Sequence, residues 1–224
     1  MGEVIGELLP LALGVAISPV PIMSVILMLF SANAVRNSAL FLVGWVVGVT
    51  AVIGIAAVAL GQADPTGDEG PATWVSVLKL ALGLGSIAIA VTQWRGRPEP
   101  GTPAQLPSWM EAIDTVTPGR ALGIGLLVSS VNPKNLALGI AGGVTVAQAD
   151  LGGGESAVCI AVFVVLASAT IAGPVLANAV MAERVAPALQ RMKRWLEENN
   201  ATVMAVLMLV IGVVLLGKGL GGLL

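Results

Sequence analysis

Long apolar runs separated by short polar stretches dominate the chain. A helix needs about 20 consecutive, mostly apolar residues to cross the hydrocarbon core of a bilayer. Six runs reach this length, at about residues 6–30, 39–61, 73–94, 121–146, 156–181 and 201–222. The pattern predicts an all-α polytopic membrane protein with six transmembrane helices. A hydrophobic share of 56% and a charged share of 11% agree with this class.

The polar stretches alternate in the sign of their charge. The first, third and fifth stretches carry eight of the eleven Lys and Arg residues. The charged residues of the second and fourth stretches are all acidic. Because short cytoplasmic loops are enriched in Lys and Arg, we expect the basic stretches on the cytoplasmic side of the membrane. Both termini then lie outside. The fifth stretch, 182–200, is expected to form a short amphipathic helix at the interface.

The six runs divide into two sets of three. Residues 1–95 form the first set, 96–117 a cytoplasmic linker, and 118–224 the second set. Since each set has an odd number of spans, the second copy would insert upside down, which is a common plan of transporters. The motif "ALGV" begins at Ala12 and the similar "ALGI" at Ala121. We therefore predict a 3+3 inverted repeat.

Proline interrupts the first helix of each set near the middle of its span. The two interruptions read "SPVP" from Ser18 and "NPKN" from Asn132. Proline lacks an N–H and clashes with the carbonyl one turn earlier. In lipid, the freed carbonyls must find partners or face a water-filled cavity. Helices one and four are thus predicted to be broken, with half-helix ends that attract ions.

Lys134 lies about 13 residues from either end of its apolar run. A lysine at the centre of a membrane helix costs roughly 2.5–3.5 kcal/mol on insertion scales. The central parts of the runs contain no Asp or Glu as a partner. Three interpretations stay open. Lys134 is a neutral group that exchanges protons, a cation that binds an anionic group in a cavity, or a structural group bonded to the freed carbonyls.

Other small and polar residues surround these breaks. Ser129, Ser130 and Asn135 either line the cavity or make ordinary interhelical hydrogen bonds. Gly173-Pro174 predicts a hinge in helix five. Gly44 and Gly48 form a small-xxx-small face, for packing or for a homodimer. The predicted substrate-binding residues are Ser18, Pro19, Pro21, Ser129, Ser130, Asn132, Pro133, Lys134, Asn135 and Asn178.

The composition argues against several classes of function. The chain has no His and a single cysteine, Cys159, so a metal centre and a disulfide within the chain are not expected. No P-loop occurs, and no basic stripe with interleaved aromatic residues suggests a nucleic-acid partner. With its acids in the loops, the chain has few groups for acid–base chemistry. We predict neither a cofactor nor an enzymatic activity.

The motifs "SPVPI" and "NPKN", together with the three-plus-three topology, resemble the lysine exporter superfamily. Within it, the chain is most similar to the peptidoglycolipid-addressing (sulfolipid-1-addressing-like) family of actinobacteria. The resemblance covers essentially the whole chain. It implies that the residues of these two motifs form the site, and that a glycolipid or its precursor is exported from the plasma membrane toward the cell envelope.

Three functions are compatible with the sequence. The first is export of a lipid or glycolipid, with an acidic head group, by alternating access around a polar site at the midplane. The second is export of a small solute such as an amino acid, whose carboxylate Lys134 could hold. The third is a non-transporting scaffold whose basic cytoplasmic face binds a lipid-synthesis enzyme. Membrane lipids are expected partners in each case.

Overall fold

The computed structural model of the protein describes residues 1–31, 33–61, 73–97, 116–149 and 151–223. Within these ranges the regular structure is entirely helical, so the predicted all-α class is confirmed. The seven helices are α1 (Gly2–Ala16), α2 (Pro19–Leu29), α3 (Ala34–Gly61), α4 (Thr73–Arg95), α5 (Pro118–Ser130), α6 (Pro133–Ala147) and α7 (Gly153–Gly221).

Both predicted helix breaks are present. α1 ends at Ala16, and Ile17 leaves the helical conformation with φ −83° and ψ 57°. α2 then begins at Pro19, bent by 53° from α1. In the same way α5 ends at Ser130 and α6 begins at Pro133. Proline starts a helix well because its missing N–H would have no partner there, so each break is also a helix start.

Three described helices are long and apolar enough to cross a membrane: α3, α4 and α7. α1 and α2 together are also long and apolar enough, and counting this bent pair as one span raises the number of candidate spans to four. This is fewer than the six apolar runs, for two reasons. α5 and α6 have only 13 and 15 residues, so neither counts alone, and they are not found as a bent pair in the way that α1 and α2 are. In addition, the polar stretch 182–200 is itself helical and joins two apolar runs into the 69 residues of α7.

α7 is not one straight rod. At a rise of 1.5 Å per residue it would measure roughly 100 Å, about three times the thickness of a bilayer core. Met181, with φ −147° and ψ 55°, interrupts the helix between its two apolar parts. After this break, Leu189 and Leu196 are buried, whereas Arg191, Arg194 and Trp195 are exposed. The stretch thus has one buried and one exposed face, whereas it is part of α7 rather than a separate short helix, and its location at the interface stays a prediction.

The helices of the two sets interdigitate. α3 packs on α5 and α6, whereas α1 and α2 pack on α7, and α4 packs along α7. The largest buried side chains, Phe41, Trp45 and Phe163, lie in one continuous apolar core. Much of the predicted linker and the acidic residues of the second polar stretch (Asp64, Asp68 and Glu69) lie outside the described residues.

Glycines allow α3 and α5 to approach closely. A Cβ atom on Gly44 would collide with the carbonyl oxygen of Leu122, and one on Gly125 with that of Phe41. Gly48 faces the side chain of Ser129 on the same seam. The small-xxx-small face is thus used for packing within the chain. The homodimer hypothesis loses the sequence feature on which it depended, because α5 already covers that face.

Candidate functional site

The site begins at the N-terminus of α6. Asn132 is the N-cap, with extended backbone angles of φ −60° and ψ 119°, and its side-chain oxygen accepts a hydrogen bond from the backbone N–H of Lys134 at 3.1 Å. Pro133 occupies the first helical position. This is the usual pattern of an Asn cap followed by proline. It places Lys134 in the first turn of α6.

The Lys134 side chain reaches the other broken helix. Its Nζ donates to the carbonyl oxygen of Gly14 at 2.7 Å and to that of Ile17 at 3.5 Å. Only 2% of the residue is exposed. The buried lysine therefore connects the start of α6 to the end of α1, across 120 residues of sequence.

The free carbonyls at the end of α1 have two origins. The helix break itself frees those of Gly14 and Ala16, because the N–H groups of Ser18 and Val20 do not bond to them, and proline accounts for others. In a continuous helix the N–H groups of residues 19 and 21 would bond to the carbonyls of Val15 and Ile17, but both positions are proline. A further carbonyl, that of Ala16, accepts a hydrogen bond from the Thr170 hydroxyl at 2.6 Å. Side chains of the second set of helices thus bond to three carbonyls at the broken end of α1.

The electrostatics of this arrangement favour a cation at the end of α1. The C-terminus of a helix carries a partial negative charge, and its N-terminus a partial positive charge. Lys134 belongs to the positive end of α6 but extends its Nζ to the negative end of α1. Among the described residues, the ion pairs are Lys218–Glu7 and Lys193–Glu197, so no described carboxylate pairs with Lys134.

Asn135 completes the connection between α5 and α6. Its Nδ2 donates to the carbonyl oxygen of Val128 at 3.1 Å, which bridges the second helix break. Its Oδ1 is buried and has no hydrogen-bond partner among the described residues. An unpaired buried acceptor costs about 1–3 kcal/mol, so Asn135 retains a polar atom that a bound group could use.

The hydroxyls of the two predicted serines form hydrogen bonds within their own helix, α5. The hydroxyls of Ser129 and Ser130 both donate to the carbonyl oxygen of Leu126, at 2.9 Å and 2.5 Å. Such bonds to the preceding turn satisfy the hydroxyl locally. Ser129 is buried at the seam with α3. In this structure both hydroxyls are engaged within α5.

The remaining predicted residues lie on α2 and α7. Ser18, Pro19 and Pro21 are buried at the junction of α1 and α2. Asn178 is half-buried on α7, two turns beyond Thr170. Gly173 and Pro174 lie inside α7, and the helix interruption itself is at Met181. A hinge at Gly173-Pro174 and a binding role for Asn178 stay predictions.

Sequence reasoning missed two residues of the site. Gly14 belongs to the "ALGV" motif and supplies the nearest carbonyl to Lys134. A Cβ atom at Gly14 would lie 2.7 Å from Cδ1 of Ile211, so the residue is tightly packed. Thr170 is one of few polar residues in its apolar run. A polar residue in an apolar run is a signal, but a threonine in a membrane helix usually bonds to its own preceding turn.

An apolar pocket of about 470 Å³ opens between α3 and α7. Thr50 is its polar residue, and Gly54, Ala157, Ile160, Ala161, Val164 and Val165 complete the lining. Within the part of the chain that the structure describes, no group of three or more His, Cys, Asp or Glu residues could hold a metal ion. The polar connection at Lys134 is accordingly the main candidate site.

The profile of the Sap, sulfolipid-1-addressing protein family matches residues 8–221. The chain belongs to the sulfolipid-1-addressing protein family. The match includes both helix breaks, Lys134 and Thr170, so the site lies within the family region. Membership confirms the family predicted from the sequence and indicates a role in lipid addressing, whereas the wider lysine exporter superfamily stays a prediction. Neither a curated protein nor a solved structure matches the chain.

Proposed function

We propose that this sulfolipid-1-addressing family member is a plasma-membrane transporter that exports a lipid with an acidic head group toward the cell envelope. The observation that carries the proposal is the buried Nζ atom of Lys134, which donates a hydrogen bond to a carbonyl oxygen at the end of α1. A neutral donor such as the Thr170 hydroxyl can satisfy such a carbonyl. The additional cost of a charge at this depth suggests a use for the charge, namely recognition of an anion.

The packing of the helices supports an inverted repeat of six spans. In this proposal the spans are α1 with α2, α3, α4, α5 with α6, and the two parts of α7. In an inverted repeat, the second span of each set should pack on the broken first span of the other set. The packing of α3 on α5–α6 would then correspond to the packing of the first part of α7 on α1–α2. Contacts of both kinds occur, and α4 packs on α7 as the third spans of the two sets would.

The proposed mechanism follows from which half supplies each group. Lys134 belongs to the second half, whereas Gly14 and Ile17 belong to the first. A rocking motion of one half against the other would therefore separate the ammonium group from its carbonyl partners. A sulfate, phosphate or carboxylate head group would then replace them, and the unpaired Oδ1 of Asn135 could accept a bond from a head-group hydroxyl.

Thermal stabilisation by defined lipids tests this function. Wild type, Lys134→Gln and the surface control Lys193→Gln are purified in detergent and mixed with a sulfated glycolipid, phosphatidic acid or phosphatidylcholine. A ligand of the native state raises the melting temperature by mass action. We expect acidic lipids to stabilise wild type and Lys193→Gln more than phosphatidylcholine does, and Lys134→Gln to lose this difference.

Two results would contradict the proposal. Equal responses of all three proteins to every lipid would remove Lys134 from recognition and favour the scaffold. Stabilisation of wild type by free amino acids, but by none of the lipids, would favour the exporter of a small solute. Proteoliposomes with a fluorescent acidic lipid in the inner leaflet then measure transfer between leaflets directly.

A further inference from the structure

Two carbonyl oxygens at the end of α1 face the side-chain nitrogen of Lys134, one at 2.7 Å and one at 3.5 Å. Unwound backbone carbonyls and C-terminal helix ends coordinate monovalent ions in membrane transporters. Here the carbonyl oxygens of Gly14 and Ile17 converge on a single position, which the Nζ atom of Lys134 occupies. We propose that the end of α1 is a monovalent-cation site that the protein fills with its own lysine ammonium group.

Three features support this assignment over a simple hydrogen bond. The position lies at the negative end of the α1 dipole, where a cation is favoured. Pro21 removes the N–H group that would bond to the carbonyl of Ile17 in a continuous helix. Finally, no carboxylate among the described residues pairs with Lys134, so the carbonyl dipoles are its described source of negative potential.

The inference rests on the proposed function only in its consequence for transport. A tethered ammonium group in this position means that the chain needs no soluble Na⁺ or K⁺ at the end of α1. The cation would instead leave the carbonyls when the two halves separate, and would accompany the acidic head group.

Chemical rescue of Lys134→Ala provides the test. The substitution removes the ammonium group and leaves a cavity that propylammonium, which reproduces the missing atoms beyond Cβ, can fill. The matched neutral probe is 1-propanol, and NaCl and KCl are the simple cations. Lys134→Met keeps the cavity filled and serves as the unresponsive variant, whereas Lys79→Ala controls for the loss of a half-buried lysine that donates to Gln148 at 2.8 Å.

We expect propylammonium, and a small cation at higher concentration, to stabilise Lys134→Ala. The melting temperature should rise by roughly 5–10 °C at about 100 times the dissociation constant. 1-Propanol should not reproduce this rise, and Lys134→Met and Lys79→Ala should not respond. Equal effects of propylammonium and 1-propanol, or no effect of any cation on Lys134→Ala, would overturn the proposal.

The proposal can be tested even if Lys134→Ala unfolds in the absence of a cation. Membranes that contain Lys134→Ala are then solubilised with propylammonium or with 1-propanol, and the folded fraction is measured by size-exclusion chromatography. Recovery with propylammonium alone supports the cation site, and equal or absent recovery contradicts it. Since no lipid is added, the result is independent of the lipid experiment: cation rescue without any acidic-lipid effect on wild type would leave this site intact and refute the lipid transporter.

Discussion

The hydroxyl of Thr170 lies 2.6 Å from the carbonyl oxygen of Ala16, and this hydrogen bond joins α7 to the broken end of α1. Thr170→Val keeps the shape of the side chain but removes the donor. An unsatisfied carbonyl should then lower the free energy of unfolding by about 1–3 kcal/mol. Denaturation in detergent, followed by circular dichroism, measures the change.

Thr50→Val is the matched control for this substitution. Thr50 is exposed, and its hydroxyl donates to the carbonyl oxygen of Val46 within α3. That carbonyl also belongs to a regular helix, so the change in unfolding free energy should stay within about 0.5 kcal/mol. Equal losses for the two variants would show that the bond to Ala16 adds nothing to stability.

Lys134 and Thr170 should act on the stability of the same helix end. Both side chains donate to carbonyls of the last turn of α1. Groups that share a structural unit give coupling energies of about 0.5–3 kcal/mol in double-mutant cycles. We expect Lys134→Gln and Thr170→Val to be non-additive by at least about 0.5 kcal/mol. Strict additivity would mean that the two bonds stabilise α1 independently, and Thr50→Val in place of Thr170→Val gives the additive reference.

The glycines of α3 offer a second matched comparison. A Cβ atom on Gly44 would meet the backbone of Leu122 and Leu126, which cannot move without separating α3 from α5. A Cβ atom on Gly54 would meet nothing within 4 Å. Gly44→Ala should therefore lower the unfolding free energy by about 1–3 kcal/mol, as overpacking does. Gly54→Ala should be neutral or stabilising by up to about 1 kcal/mol. Similar melting temperatures for the two variants would contradict the close seam.

Asn132 should contribute more to the stability of the protein than Asn199 does. As the N-cap of α6 its side chain accepts the backbone N–H of Lys134, and replacing such a cap with alanine costs about 0.5–2 kcal/mol. Asn199 donates to the carbonyl oxygen of Trp195 on the exposed part of α7. We expect thermal denaturation to show a larger loss for Asn132→Ala than for Asn199→Ala. The reverse order would mean that the second helix break does not depend on its cap.

The local parts of the site could be predicted from the sequence, and its long-range parts could not. Proline at positions 19, 21 and 133 marks both breaks, because the missing N–H groups act on the nearest turn, although Pro10 and Pro174 lie inside helices without breaking them. The partner of Lys134 is a different matter. A backbone carbonyl has the same chemistry at every residue, so nothing in the sequence distinguishes Gly14 from any other glycine as the acceptor.

The long-range contacts of Thr170 and of the glycines of α3 could not be predicted from the sequence either. Thr170 and Thr50 are both threonines inside apolar runs, yet one reaches another helix and the other its own preceding turn. Gly44 and Gly54 likewise look alike in the sequence, and only the position of α5 separates them. Contacts between helices depend on how the helices are arranged, and hydropathy alone does not determine that arrangement.

Polar contacts at the opposite end of the broken helices also join the two halves of the chain. Lys218 on α7 pairs with Glu7 on α1 at 2.7 Å, and Lys79 on α4 donates to Gln148 at 2.8 Å. Exposed fractions of 29% and 42% for the Lys218 and Glu7 side chains place the ion pair in partial contact with solvent. Such pairs contribute about 0.2–1 kcal/mol, and salt weakens them.

A double-mutant cycle with Glu7→Gln and Lys218→Gln should therefore give a coupling energy of about 0.2–1 kcal/mol at low salt, falling as NaCl is raised. Lys193 and Glu197 form the reference pair, since they lie 3.6 Å apart within one helix and do not connect the halves. Both cycles are measured by denaturation in detergent. If the pairs also act on the motion of the halves, only the Glu7–Lys218 variants should alter the rate of lipid transfer in proteoliposomes. If these variants show the coupling energy but transfer lipid at the wild-type rate, the contact contributes to stability and not to transport.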